Sequence, residues 1–400
     1  MKLNDDFLAQ MREATQLLQS AGPAAATAAI QRALNGGTVR DAGAAPSGFA
    51  PQPEVIDINE VSPRADKASD SAKDLLARFR KATGKKWQGA SARQPIEDVE
   101  PAVADKGKFL SASCTNSAGT RAYKIYVPSG YQGQALPLVV MLHGCKQNPD
   151  DFAAGTGMNT IADENNCFVV YPGQMHGANG SNCWNWFQQG DQQRDKGEPS
   201  IIADITREVM REYRIDPNRV YIAGLSAGGA MAAIMGTRYP DLYAAVGIHS
   251  GLPVGVAHDV PSAFVAMGNG LGAAGPLKPK MKKAASQQPV PVIVFHGDRD
   301  TTVHPRNGDQ CAEDFVAAHA VQKQDCDVKV ETGTAPNGRS YTRTIRRGGD
   351  GKAIAEQWVV HGAGHAWAGG SRRGSFTDPS GPNASKEMMR FFLLHARAAR

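Results

Sequence analysis

The chain has 400 residues, 41% of them hydrophobic and 21% charged, with a formal net charge of +5. That is a globular balance with length for two or three domains. Charge is interspersed, so no nucleic-acid surface is implied, and no apolar run is long enough to cross a membrane.

The opening Met1-Lys2-Leu3-Asn4-Asp5-Asp6-Phe7 carries acids early and lacks an apolar core. No secretory signal is therefore expected, and the expected compartment is the cytoplasm. Phe7, Leu8, Met11, Thr15 and Leu18 form a helical stripe that Gly22-Pro23 interrupts, and Ala24 to Leu34 predicts a second short helix. Residues 1–35 are thus a helical N-terminal segment. Residues 36–107, rich in Ala, Gly, Pro, Ser and charge, read as a flexible linker with a local helix near Ser71–Thr83.

From residue 108 to 400 the texture changes. Apolar runs predict strands at Ala122–Val127, Leu138–Leu142, Phe168–Tyr171, Val220–Ala223, Ala244–Ile248, Val292–Phe295 and Gln357–Val360. Helices are predicted at Asp151–Asn165, Ile201–Tyr213, Ala227–Tyr239, Gly308–Ala320 and Ser385–Ala398, with a shorter piece near Ser262–Met267. Strands of this kind, separated by helices, imply an α/β fold with a mostly parallel central sheet covered on both faces. Its ligand site is expected outside the carboxyl ends of the strands. The Gly-, Pro- and Lys-rich residues 254–288 are a candidate cleft wall or lid. Arg343-Thr344-Ile345-Arg346-Arg347 and Arg372-Arg373 read as solvated surface.

Several of these strand ends carry chemistry. Met141-Leu142-His143-Gly144-Cys145 ends an early strand. Its Cys145 amide is a candidate donor to a developing oxyanion, with His143 buttressing the loop beside the substrate. Asn182-Cys183-Trp184-Asn185-Trp186-Phe187 is an aromatic cluster in a polar loop, and Trp184 and Trp186 are candidates for a substrate-binding wall. Gly224-Leu225-Ser226-Ala227-Gly228-Gly229 lies between an apolar strand and an Ala/Met-rich helix. A G-x-S-x-G turn in that setting strains and exposes the serine, so Ser226 is the candidate nucleophile and the Ala227 amide the other oxyanion donor. His296-Gly297-Asp298-Arg299-Asp300 follows a buried strand and offers two acids. His361-Gly362-Ala363-Gly364-His365 follows the last strand and offers two histidines. A serine needs a base, and the base an orienting acid, in the chain order Ser, Asp, His. Asp300 and His365 are preferred, because His361 continues its strand as a packed or hydrogen-bonded residue, and Asp298 can pair with Arg299 or cap the turn. Trp367 is a further substrate-wall candidate.

Six cysteines, Cys114, Cys145, Cys167, Cys183, Cys311 and Cys326, suit disulfides only in an oxidising compartment. Cys145 with Cys183 and Cys311 with Cys326 are the candidate pairs. No C-x-x-C occurs, and glycines forbid a helix between His361 and His365, so no metal is expected.

Taken together, these five motifs resemble the polyhydroxybutyrate-depolymerase family of esterases over about residues 110–398. Feruloyl and acetylxylan esterases share the elbow. The resemblance implies an α/β-hydrolase fold and a serine carboxylic-ester hydrolase that needs no cofactor. It implies Ser226, Asp300 and His365 as triad and the amides of Cys145 and Ala227 as oxyanion hole. The implied partner is an ester substrate, a hydroxyalkanoate polymer or oligomer; feruloyl or acetylated carbohydrate esters are the alternative. The N-terminal stripe ahead of a linker also suggests an adaptor that attaches the chain to a polymer granule or to itself as a homo-oligomer.

Overall fold

The computed structural model describes residues 106–270, 289–320, 327–336 and 338–398. The expected helical segment at 1–35, and the expected linker apart from residues 106 and 107, lie outside the described residues, as does the local helix at Ser71–Thr83.

One ten-stranded sheet organises the described residues. In chain order its strands are β1 (Lys108–Asn116), β2 (Gly119–Val127), β3 (Leu136–Leu142), β4 (Phe168–Pro172), β5 (Ile215–Leu225), β6 (Ala245–His249), β7 (Val292–Gly297), β8 (Asp327–Thr334), β9 (Ser340–Arg347) and β10 (Ala353–Val360). Across the sheet they run β1-β2-β4-β3-β5-β6-β7-β10-β9-β8. The six central strands, β4 to β10 in that order, are mutually parallel. The β1-β2 and β8-β9 ribbons close the two sides antiparallel. A two-residue pair, β11 (Trp367–Ala368) with β12 (Thr377–Asp378), stands apart.

Parallel strands need covering on both faces, and the residues alternate to suit. Leu138, Val140, Val220, Ile222, Val292 and Val294 face one core, while Val139, Met141, Tyr221, Ala223, Ile293 and Phe295 face the other. The first core takes α3 (Gly197–Glu212), α4 (Ala227–Arg238), α5 (Val260–Asn269) and α6 (Arg306–Ala320). The second takes α1 (Pro149–Thr156), α2 (Met158–Glu164) and α7 (Ala384–Leu393). This is the mostly parallel, doubly covered sheet expected from the strand–helix alternation, and the α/β-hydrolase fold that the resemblance implies.

The differences have local causes. The single helix expected at Asp151–Asn165 is two, because Gly157 takes φ 61° and both ends one helix and starts the next. Asn148 caps α1 by accepting from the Asp151 amide. Strands β1, β8 and β9 escaped the apolar-run criterion because they are polar and half-exposed. Arg343 to Arg347, expected as solvated surface, belong to β9. Arg343 pairs there with Glu331 and with the buried Glu356, and its guanidinium lies 5.1 Å from the Trp358 ring. Among the described residues no helix is long and apolar enough to cross a membrane.

Candidate active site

Five adjacent strand ends build the site. In spatial order they belong to β3, β5, β6, β7 and β10, the carboxyl-end location expected for an open α/β sheet.

The turn after β5 is the tightest point. Ser226 sits at φ 58°, ψ −119°, a region that residues with a Cβ rarely occupy. A Cβ on Gly224 would meet the Gly228 carbonyl carbon at 2.3 Å; one on Gly228 would meet the Leu142 oxygen at 2.0 Å. Strand, turn and helix therefore close only with glycine at both places. The Ser226 amide donates to the His249 carbonyl at 2.9 Å, which ties the turn to β6. The Ser226 side chain makes no capping bond to α4, so the hydroxyl is not consumed by its own helix.

Beside it runs the loop after β3. The Gly144 amide donates to Gln147 Oε1 at 2.9 Å and the Lys146 amide to the Ser181 carbonyl at 2.7 Å. Between them the Cys145 amide meets no acceptor among the described residues, and neither does that of Ala227 at the start of α4. One unspent amide follows the strained serine directly and the other follows Gly144, where a Cβ would lie 3.6 Å from that of Ser226; an oxyanion hole needs two such donors. A disulfide joins Cys145 to Cys183 and fixes this loop to the one after β4. Of the other candidate pair, Cys326 lies outside the described residues and Cys311 is buried in α6.

His143 is wholly buried. Its Nδ1 donates to the Gly144 carbonyl at 2.8 Å, and its Nε2 accepts from the Gln174 amide at 3.0 Å. Burial pushes its pKa down to about 4, against an opposing pull from the Gly144 carbonyl and Asp151, so the ring is neutral and structural. Both ring nitrogens are thus committed to the backbone of the loops after β3 and β4.

Behind the loop lies a polar network that sequence reading missed. The buried Glu198 carboxylate accepts from the Gln174 amide group and from Asn185 N and Nδ2 at 2.7 and 2.8 Å, with the Arg121 guanidinium 3.6 Å away. Burial raises its pKa and these hydrogen bonds only partly offset that. Gln174 also donates to the Cys183 carbonyl at 2.9 Å. The partners are far apart in the chain, so no local signal marks them.

The acid and the base come from neighbouring parallel strands. β7 and β10 pair in register up to Gly297 and Val360. Beyond them the Arg299 amide donates to the Ala363 carbonyl at 3.0 Å, so the two loops are knitted together. His365 Nδ1 then lies 2.7 Å from Asp300 Oδ2. Asp300 Oδ1 accepts from the amides of Thr302 and Val303 at 2.9 and 2.8 Å. Burial alone would raise the Asp300 pKa. Hydrogen bonds from His296 and His365 outweigh it and hold the carboxyl well below the usual carboxylate range. His296, another buried residue not singled out from sequence, places Nε2 3.4 Å from Asp300 Oδ2 and 2.8 Å from the Val303 carbonyl.

The rejected candidates form a second pair. His361 Nδ1 lies 2.9 Å from Asp298 Oδ2, and its Nε2 is 2.9 Å from Thr342 Oγ1. Burial separates the pairs: the His361 and Asp298 side chains are 40% and 37% exposed, those of His365 and Asp300 11% and 0%. His361 is thus hydrogen-bonded in place, as its position at the end of β10 suggested.

His249 ends β6, the strand next to the one that delivers Ser226. The Ser226 hydroxyl and the His365 ring form no direct hydrogen bond among the described residues, a contact that often tightens only when substrate binds. The aromatic wall expected of Trp184, Trp186 and Trp367 is not there, since all three are buried. Trp184 donates its indole N–H to the His143 carbonyl at 3.1 Å, and Trp367 to Ser385 Oγ at 3.1 Å. A buried indole needs such a partner, and these rings brace the loops from behind. Trp186 packs edge-on against Phe187, with ring centroids 5.7 Å apart.

The strained serine at its elbow and the buried histidine–carboxylate pair lie at the carboxyl ends of the parallel strands of an α/β-hydrolase fold. Within that fold class the chain belongs to the esterase PHB depolymerase family, whose model matches residues 121–327, just over half of the chain. The matched stretch contains Ser226 and Asp300, and His365 lies beyond it. The chain is 33% identical over 255 residues to poly(3-hydroxyalkanoate) depolymerase C of Paucimonas lemoignei, covering 63% of this chain and 59% of that one. It is 26% identical over 228 residues to a probable acetylxylan esterase A of Aspergillus fumigatus, covering 54% and 60%. The matches thus span about three fifths of these relatives' length. Among solved structures, the acetyl xylan esterase of Aspergillus awamori shares the fold, with TM-score 0.54 and 20% identity over 71% of this chain and 98% of that one.

Proposed function

We propose that the chain is a serine carboxylic-ester hydrolase working through an acyl-enzyme, with Ser226, His365 and Asp300 as its triad. The observation that carries this reading is the buried Asp300–His365 pair, held by backbone amides, at the same end of the sheet as a strained serine. Ser226 Oγ attacks the ester carbonyl while His365 Nε2 takes its proton. Asp300 keeps the proton of His365 on Nδ1 and stabilises the imidazolium. The amides of Cys145 and Ala227 receive the oxyanion. The alkoxide leaves with the proton from His365, and water repeats the sequence on the acyl-enzyme. No step calls for a cofactor. Ser226→Ala is expected to abolish turnover of p-nitrophenyl butyrate with an unchanged circular dichroism spectrum; retained turnover would end this reading.

The substrate class we favour is a hydroxyalkanoate ester, polymer or oligomer, on the strength of family membership. The carbohydrate-ester alternative loses the aromatic wall that motivated it and keeps only the acetylxylan-esterase likeness. Turnover of hydroxybutyrate oligomers against acetylated and feruloylated sugars decides between them.

Two further proposals concern the whole chain. The disulfide favours an oxidising compartment over the cytoplasm expected from the opening residues. Thiol labelling of Cys145 and Cys183 in cell fractions tests this. The N-terminal stripe supports granule attachment or self-association; lost attachment or oligomerisation after deletion of residues 1–100, with esterase activity intact, is the expected result.

A further inference from the structure

One buried histidine touches both halves of the site, yet the reaction above gives it no task. His249 ends β6, the strand that lies between the one delivering Ser226 and the one delivering Asp300. Its main-chain carbonyl accepts from the Ser226 amide at 2.9 Å. Its ring Nε2 accepts from the Ala368 amide at 2.9 Å, three residues beyond His365. The ring is stacked on Trp367 with centroids 5.0 Å apart and 25° between planes, and on Phe295 at 5.8 Å and 11°. It is 1% exposed.

We propose that His249 is a positioning residue that sets the placement of His365 against Ser226, its backbone holding the nucleophile turn and its imidazole holding the histidine loop. The proposal rests on the ester-hydrolase reading above. The geometry permits one arrangement of protons. Nε2 faces an N–H and must be a lone pair, so the ring proton is on Nδ1, 3.2 Å from Ser250 Oγ. Protonation at Nε2 would set a donor against a donor and release the loop. Burial prevents it, pushing the pKa down to about 3 with help from nearby His296 and His365 and against the pull of Asp300. The Ala368 amide is itself buried, so without this acceptor it would be left unpaired in a dry interior. The strand order supports the assignment. His365 is delivered from β10, two strands beyond β6, and the His249 ring bridges that span directly to the segment after His365.

The test separates acceptor from shape. His249→Phe keeps the ring stack and removes the acceptor; His249→Gln offers an amide oxygen near the position of Nε2. With p-nitrophenyl butyrate, kcat of the Phe variant is expected to fall by about ten- to a hundred-fold, the scale for a reacting group displaced by about 1 Å, with KM within about two-fold. The Gln variant should recover most of that loss. Amide hydrogen exchange, which needs no activity, should show Ala368 faster in the Phe variant and protected again in the Gln variant. Should the Phe variant not fold, His249→Asn, too short to reach Ala368, makes the same cut. Wild-type kcat in the Phe variant, or a Gln variant no better than Phe, overturns the proposal. The ester-hydrolase reading fails separately, when Ser226→Ala matches the wild type.

Discussion

Asp300→Asn is the sharpest probe of the triad, because the structure dictates which way the new amide must turn. Oδ1 of Asp300 accepts from two backbone amides, Thr302 and Val303. In the variant only the carboxamide oxygen can take that place, so the NH2 occupies the position of Oδ2, 2.7 Å from His365 Nδ1. A donor there forces Nδ1 to be the acceptor and moves the imidazole proton to Nε2. The ring then points an N–H, not a lone pair, towards Ser226. His296 does not rescue the old arrangement, since its Nε2 also donates to the Val303 carbonyl at 2.8 Å. A base in the wrong tautomer costs about 10⁴-fold in kcat in serine hydrolases generally, or about 5.4 kcal/mol of transition-state stabilisation. KM should barely move, because no substrate contact is altered. Initial rates on p-nitrophenyl butyrate across a substrate series give both numbers, with Ser226→Ala as the floor. A kcat loss below about ten-fold would refute the reasoning, and Asp298 would become the acid to examine.

Three more outcomes follow from the same geometry. His143 and His249 are held neutral mainly by burial, at about 4 and about 3, whereas a free imidazole titrates near about 6.5. Their contribution is complete above that value and is lost as pH falls, so between about pH 6 and about pH 4 stability should drop by up to about 2.7 kcal/mol per pH unit. Urea midpoints that stay flat over that window contradict it. Removing the Cys145–Cys183 bridge, whose partners are 38 residues apart, should cost about 4 kcal/mol by the chain-entropy argument and lower kcat by loosening the Cys145 amide. An unchanged denaturation midpoint for Cys183→Ala counts against that. Gly228→Ala would drive a Cβ to 2.0 Å from the Leu142 carbonyl and 2.6 Å from that of His143. The expected product is insoluble or inactive protein, and a soluble, fully active variant would show that the elbow has slack the structure denies.

Much of this is legible in the sequence itself, for a physical reason. Strands buried on both faces leave runs such as Leu138–Leu142 and Val292–Phe295, and a strained turn leaves its glycines, so the sheet centre and the elbow are written locally. The ribbons are not: β8 and β9 are half-solvated, and Arg343 reads as surface because its partners Glu331 and Glu356 lie on other strands. The same limit applied within the site. Asp300 and His365 could be chosen from their places after strands, but His249, His296 and Glu198 act through contacts with distant segments. The tryptophans misled because a ring in a polar loop looks available, whereas Trp184 and Trp367 each find a buried acceptor for the indole N–H.

The Asp298–His361 couple has a practical consequence. It copies the geometry of the inner couple but stands in solvent, so an imidazole-directed acylating reagent will reach His361 well before His365. Loss of activity will lag behind the first modification, and a titration of essential histidines will overcount unless the modified peptides are sequenced.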